Sequence, residues 1–588
     1  MRRKSFYLQS LYLQKPLLLI ILIAMVATLP WIGLGDFYTK GEPREAALVL
    51  SMINDGNWII PQGYADEFAY KPPLNHWLMA GFSYLINGGE VTPFTTRLPS
   101  VLAFIALIWV CFMFFARRRN ILEAFVACLI MITCFELHRA AMTTRIDMLL
   151  TFFMVISFLQ LFVWEEKKKN KYLLSSWLFL TLGIMVKGPV AFVLPIIVFG
   201  IYLLLQKYNF FKVVGKCLLA VLPALIIPLI WYYTAYQIKG DDFLNLVFAE
   251  NFGRFLSIPD SMLQIHYKLG VENPWWYYVP SILAGFMPWT LLVVISLFFI
   301  KYSNPGKPLK QSLMEWWANF VKEKSLVYSL IIIAVMLLFF SIPTSKRSVY
   351  IMPLYPFVAI FMAQLFIYLA QHRPKAIRIY TYFLLTITSI IVIVFGLIFF
   401  KVINLEYIGH LLSQRERTIY DFKLFSDLFQ SPTFLGIITV IALINVIIVG
   451  VVMLRRRANV KLLMTSFAIV FFINIFLDGF ILPGFKNGHS SRPFAEYISS
   501  KYDLKGNTYV HNNLLKYGNM YGLNFYLGNN FKNFEKENPD RGYFICDINN
   551  VDEIIDSNKD YNFVELETSE KYTDYGNSMV LFSIQKIQ

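Results

Sequence analysis

Long apolar runs separated by short polar loops repeat along most of the chain. Runs of spanning length fall at 16–34, 95–115, 121–137, 146–163, 172–186, 188–206, 213–235, 277–300, 326–342, 349–370, 378–400, 433–453 and 461–482. Each reads as a membrane helix, because ~20 apolar residues cross the hydrocarbon core. The pattern breaks in two places. One is the polar stretch 35–94, which follows the first apolar run. The other begins at Pro483, where Asn, Asp, Glu, Lys and Tyr take over. There, strand-like runs (Thr508–Val510, Tyr543–Cys546, Phe563–Leu566, Met579–Ile584) alternate with helix-like ones (Arg492–Lys501, Val551–Ser557). The expected architecture is an α-helical polytopic membrane protein of about 13 transmembrane helices. Its membrane domain covers 1–483, with an outer loop at 35–94, and a small C-terminal extracytoplasmic α/β domain covers 484–588.

Composition supports the bilayer as solvent: 57% of the 588 residues are hydrophobic and 15% are charged. The first run lacks a small-residue cleavage site and reads as a retained span. The net charge of +15 comes from bases scattered over alternate loops, among them Arg117–Arg119, Lys167–Lys169, Lys207 with Lys212, Lys301 through Lys324 and Arg455–Arg457. That is positive-inside patterning and not a nucleic-acid stripe. It places the N-terminus in the cytoplasm and, with an odd number of spans, the C-terminal domain outside. Four of the five cysteines (Cys111, Cys128, Cys134, Cys217) lie in apolar runs and Cys546 stands alone, so neither a disulfide framework nor a thiolate zinc cage is expected.

Outer loops carry single charges set against the spans: Arg145, Asp147, Lys187, Lys346 and Arg347. Such charges are costly unless paired or wet, although snorkelling alone accounts for many bases at helix ends. Loop 35–94 is the richest in chemistry. Glu42–Asp55 reads as an amphipathic interfacial helix with Pro43 in its first turn, holding Glu42 and Arg44 at the membrane surface. Trp58–Pro61 ends it, and Lys71-Pro72-Pro73 makes an extended entry to the next helix. His138, His266 and His489 are scattered and read as structural, and Trp275–Tyr278 reads as an aromatic belt.

The ordered motifs Gly41–Ala46, Gly56–Pro61, Tyr70–Leu74, Thr96–Ser100, Thr144–Met148, Val186–Val190, Glu250–Phe255, Gly285–Trp289 and Ser345–Arg347 with Tyr350 and Pro353 carry a resemblance. The chain resembles bacterial polyprenyl-phosphate-sugar glycosyltransferases of the GT-C fold, the lipid A aminoarabinose transferases and protein O-mannosyltransferases. The resemblance implies transfer of a sugar from an undecaprenyl-phosphate carrier to lipid A, another lipopolysaccharide-type glycolipid or a protein, outside the bacterial inner membrane. Glu42, Asp147 and Asp36 are then the expected catalytic carboxylates, with Glu42 leading. Lys71, Arg44, Lys187, Lys346, Arg347 and Tyr350 are the expected headgroup ligands. The family often has adjacent acids where this chain has Gly41-Glu42, and its lipid A members have an acid where this chain has Tyr70. A divalent metal as cofactor is therefore left open. A lipid-linked sugar flippase would instead show charges in mid-span and symmetric broken helices. A structural envelope subunit would need no converging acids and bases.

Overall fold

The computed structural model describes residues 2–587 apart from 39, 257, 259–271, 301–308, 457–458, 512–519 and 570–577. His266 and Lys301 therefore lie outside the described residues. Every predicted apolar run becomes a helix or a bent pair of helices. Among the described residues, eight helices are long and apolar enough to span. These are Pro93–Arg118, Ile146–Lys167, Phe210–Lys239, Lys324–Ser341, Ser348–His372, Pro374–Phe399, Phe434–Arg456 and Asn459–Gly488. Two further runs bend: Ile121–Thr133 meets Phe135–Ala141 at 66°, and Tyr278–Gly285 meets Trp289–Leu297 at 107°. The runs at 16–34 and 188–206 give shorter apolar helices, Gln14–Thr28 and Val190–Leu205. The run at 172–186 lies in Asn170–Lys187. The first span stops short of its predicted end, since Pro30, Gly33 and Gly35 favour turns over helix beyond Thr28.

The N-terminal half sets up the site. We number its helices α1 (Arg2–Thr28), α2 (Gly41–Asp55), α3 (Leu74–Asn87), α4 (Pro93–Arg118), α5 (Ile121–Thr133), α6 (Phe135–Ala141), α7 (Ile146–Lys167), α8 (Asn170–Lys187), α9 (Val190–Leu205) and α10 (Phe210–Lys239). α2 is the predicted interfacial helix. Its buried face is Ala46, Ala47, Leu48, Val49 and Met52, and Gly56 in the left-handed region (φ 73°) ends it, ahead of the predicted Trp58–Pro61 stop. α4 starts with a capping box: Thr92 accepts from the Thr95 N–H while Thr95 Oγ1 accepts from the Thr92 N–H, and Pro93 follows at the first turn. α7 and α8 form an antiparallel hairpin that turns at Lys168, so the start of α7 lies beside the end of α8.

The C-terminal residues form a five-stranded mixed sheet in the order β2-β1-β3-β5-β4. Its strands are β1 (Thr508–Val510), β2 (Phe531–Asn533), β3 (Arg541–Asp547), β4 (Tyr561–Thr568) and β5 (Met579–Lys586). β1 pairs parallel with β2 and β3, while β5 runs antiparallel to β3 and β4. All four predicted strand runs and both predicted helices, Arg492–Lys501 and Val551–Ser557, are present. The outer loop joins this part to the bundle. Tyr64 packs edge-on against Phe531, Phe37 against Phe525, and the Tyr521 hydroxyl donates to Glu67 (2.8 Å).

Charges sort to the two ends of the bundle. Arg118–Glu166 (2.5 Å), Arg119–Glu323 (3.0 Å) and Lys216–Glu165 (2.5 Å) close one end; Arg97–Glu42 (2.8 Å) and Lys187–Asp147 (2.5 Å) lie at the other. Cysteines placed at the exposed positions Glu90 and Lys169 are expected to react with a membrane-impermeant maleimide from opposite sides of the membrane. Labelling of both from one side would refute the topology.

Candidate active site

The α7–α8 hairpin brings an acid and a base together. Asp147 sits in the first turn of α7 and Lys187 in the last turn of α8, each at the helix end whose dipole favours its charge. Their side chains meet at 2.5 Å. Gly188 follows at φ 85°, and a Cβ there would come within 2.8 Å of the Tyr232 hydroxyl, so the turn requires glycine. The Lys187 ammonium lies 4.7 Å from the centre of the Tyr350 ring.

These groups border a cavity of about 300 Å³. Its polar wall holds Lys71, Lys187, Tyr350, Tyr232, Glu250, Asn251 and Ser345; its apolar wall holds Leu150, Met154, Val193, Phe252, Phe255, Phe339 and Phe340. Ser345 Oγ is buried and has no hydrogen-bond partner among the described residues. A buried orphan hydroxyl is costly unless a ligand or water satisfies it.

Beside the cavity, α2 and α4 are locked together. Arg97, 1% exposed, donates from Nε and Nη2 to the two oxygens of Glu42, 0% exposed, at 2.8 and 3.1 Å. Arg97 also donates to the carbonyls of Ile32 (2.7 Å), Gly35 (2.6 Å) and Asp36 (3.2 Å). Glu42 in turn accepts from the Thr144 N–H at 2.9 Å, three residues before Asp147. Burial by itself would raise the Glu42 pKa; the charges of Arg97 and Lys486 and these hydrogen bonds override it and hold the carboxyl at about 2, against an ordinary 4.5.

Three comparisons bear on this arrangement. A family model described as dolichyl-phosphate-mannose-protein mannosyltransferase matches residues 70–232. Curated relatives include the undecaprenyl phosphate-alpha-4-amino-4-deoxy-L-arabinose arabinosyl transferases of Shewanella sediminis and Proteus mirabilis. The first is 25% identical over 67% of this chain and 66% of its own length; the second is 29% identical over 58% of each. The chain thus spans less than two thirds of the length of these relatives. The crystal structure of ArnT from Cupriavidus metallidurans bound to undecaprenyl phosphate superimposes with a TM-score of 0.69 at 15% identity, covering 96% of this chain and 97% of that one. The chain has the GT-C fold. Its sequence relatives are these aminoarabinose arabinosyl transferases, and it is a multi-pass membrane protein.

Within this GT-C fold the expected site residues divide. Lys71, Lys187 and Tyr350 border the cavity, and Asp147 is tied to Lys187. Glu42 does not reach it, since both carboxylate oxygens are used inside the protein. Asp36 is turned toward Arg492 at 3.7 Å. The Arg44 guanidinium is bound by Glu67 and lies 6.0 Å from the Tyr521 ring, tying α2 to the C-terminal part. Lys346 points inward to the carbonyls of Pro343 and Asn273 (3.1 Å to the latter), and Arg347 is exposed. The sequence assigned no site role to Tyr232, Glu250, Asn251 or Ser345. Glu250, Asn251 and Ser345 stood inside ordered motifs, but Tyr232 in its apolar run is indistinguishable from an interfacial aromatic. Two of the three scattered histidines pair with carboxylates, His138 with Asp478 (2.5 Å) and His489 with Asp421 (2.8 Å). Trp275 and Trp276 are exposed, as a belt would be. Among the described residues no three of His, Cys, Asp and Glu gather as metal ligands.

Glu42→Gln, which leaves Arg97 a buried uncompensated charge, is expected to lower stability by about 3–5 kcal/mol in denaturant unfolding of the detergent-solubilised protein. Because folding depresses the Glu42 pKa, its contribution is complete above pH 4.5 and is lost as pH falls toward 2. Wild type should therefore lose its advantage over Glu42→Gln across that window. Equal stabilities at pH 7 would show that the pair does not tie the helices.

Proposed function

We propose that this protein is an inner-membrane glycosyltransferase that moves a sugar from an undecaprenyl-phosphate carrier to an envelope acceptor, with the cavity at the outer face. The observation carrying this reading is the two-sided cavity. A polyprenyl-phosphate sugar has a phosphodiester beside a hydrocarbon tail, and the cavity has Lys71, Lys187 and the Tyr350 and Ser345 hydroxyls beside Phe252, Phe255, Phe339 and Phe340. The relatives are named as transferases of an undecaprenyl-phosphate-linked sugar, which supports the same donor class.

Transfer breaks the bond between the anomeric carbon and the phosphate oxygen. The departing phosphate gains negative charge, and the two ammonium groups stabilise it. Asp147 fixes the Lys187 ammonium, and the Glu42–Arg97 pair positions Asp147 by holding Thr144. Glu42 is thus assigned a positioning role. Residues 1–483 form the transferase domain with the N-terminus cytoplasmic, and 484–588 form an outer cap over loop 35–94. The basic end of the bundle supports this orientation. The acceptor is a glycolipid such as lipid A; the match to a protein mannosyltransferase family favours a protein acceptor as the second reading.

Purified protein in nanodiscs, given radiolabelled undecaprenyl-phosphate sugars and fractionated envelope, should transfer label. Lys71→Ala and Lys187→Ala should each lower kcat/KM roughly ten- to a hundred-fold, the value of one charge-assisted hydrogen bond. Wild-type rates in both variants would remove the headgroup from this cavity.

A further inference from the structure

The opposite end of the bundle holds a second space. α7 is 22 residues long, so the turn at Lys168 lies about 33 Å from the end that carries Asp147. There a cavity of about 600 Å³ opens between the α7–α8 turn, the α9–α10 turn and the start of helix Lys324–Ser341. Four lysines (Lys168, Lys207, Lys212 and Lys324) and two glutamates (Glu165 and Glu166) line it. Both glutamates are already engaged. Glu165 accepts from Lys168, from Lys216 (2.5 Å) and from the Tyr208 hydroxyl (2.8 Å), and Glu166 is bound by Arg118 (2.5 Å). Lys207, Lys212 and Lys324 have no carboxylate within ion-pair distance among the described residues, so the lining carries surplus positive charge. Tyr202, Gln206, Tyr208 and Asn209 make up the neutral lining, and the Gln206 amide makes no hydrogen bond among the described residues. Leu205, Phe210 and Phe211 flank Lys207 and Lys212 in the chain and are exposed, Phe211 at 84%.

We propose that this cavity binds the phosphate headgroup of an anionic membrane lipid, with Lys207, Lys212 and Lys324 around the phosphate and the acyl chains along Leu205, Phe210 and Phe211. The site is separate from the donor cavity. Positive-inside patterning puts bases on the loops of one end, and snorkelling explains lone lysines at helix ends. Neither calls for a walled cavity whose acids are engaged and whose uncompensated cations come from two distant segments. Basic pockets between membrane helices take anionic headgroups. A phosphate is held by point charges together with neutral donors, and both line this space. A free phosphate ion shares that charge chemistry but gains nothing from the exposed aromatic pair beside the lysines, whereas an acyl chain does.

The test uses the intact chain, delipidated in detergent micelles, with bound lipid counted by native mass spectrometry during titration with phosphatidylglycerol or phosphatidylcholine. Wild type is expected to bind its first phosphatidylglycerol about ten-fold or more tighter than phosphatidylcholine. The triple variant Lys207→Gln, Lys212→Gln, Lys324→Gln should lose that preference. All three lysines are exposed, so their replacement leaves the bundle packed. The control triple Arg455→Gln, Arg456→Gln, Lys461→Gln removes as many exposed bases from another turn and should keep the preference. Phe210→Ala with Phe211→Ala should weaken phosphatidylglycerol several-fold, and millimolar inorganic phosphate should fail to displace it. Equal affinity of wild type for the two lipids, a preference retained in the lysine triple, or equal loss in both triples would each overturn the proposal. Displacement by inorganic phosphate would make the cavity a soluble-anion site and overturn it as a lipid site.

Discussion

The buried ion pair between Glu42 and Arg97 is the interaction on which the cavity-bearing end of this molecule depends. An arginine one turn into a membrane helix is tolerable only if its charge and all its donors are met. Here a carboxylate and three backbone carbonyls do so. The same carboxylate accepts from the backbone that leads into α7. One pair therefore fixes the end of α1, the interfacial helix α2, the start of α4 and the start of α7. The low pKa of Glu42 expresses how far the Arg97 and Lys486 charges and its hydrogen bonds outweigh the cost of its burial.

From that frame the cavity follows with few additional parts. The α7–α8 hairpin needs only its two end residues, Asp147 and Lys187, to place a held ammonium at the lip. Gly188 makes the turn close enough for Tyr232 to stand behind it. Aromatic side chains from distant helices supply the apolar wall. A charge at the hydrocarbon edge is favoured only beside a counter-charge, and in this molecule it also leaves donors facing a space large enough for a ligand.

The C-terminal part interacts with the membrane part chiefly through the outer loop. Arg44, Glu67 and Tyr521 form one link, and Phe37 with Phe525 another. Arg44 thus spends its charge on cohesion between the two parts, while its neighbour Glu45 pairs with His76. Adjacent residues on a helix point about a quarter-turn apart, which is enough to give them unrelated surroundings.

The sequence by itself determined the helices, α2 among them, the separation of charges to two ends, and four of the five strands of the C-terminal sheet; β2, three residues long, it did not. Each of these depends on periodicity or on bilayer thickness, which a single chain displays directly. Lys187 stood out as a single charge against a span and Lys71 as part of an ordered motif, and both border the cavity. Tertiary structure alone decided the pairings. Glu42 meets Arg97 across 55 residues, Lys346 turns inward to carbonyls, and Glu45 meets His76 across 31. The reason is that a hydrophobic period sets which face of a helix is buried, but not which polar groups meet there. Those meetings depend on helix packing and rotamers, which emerge only when all the helices are in place.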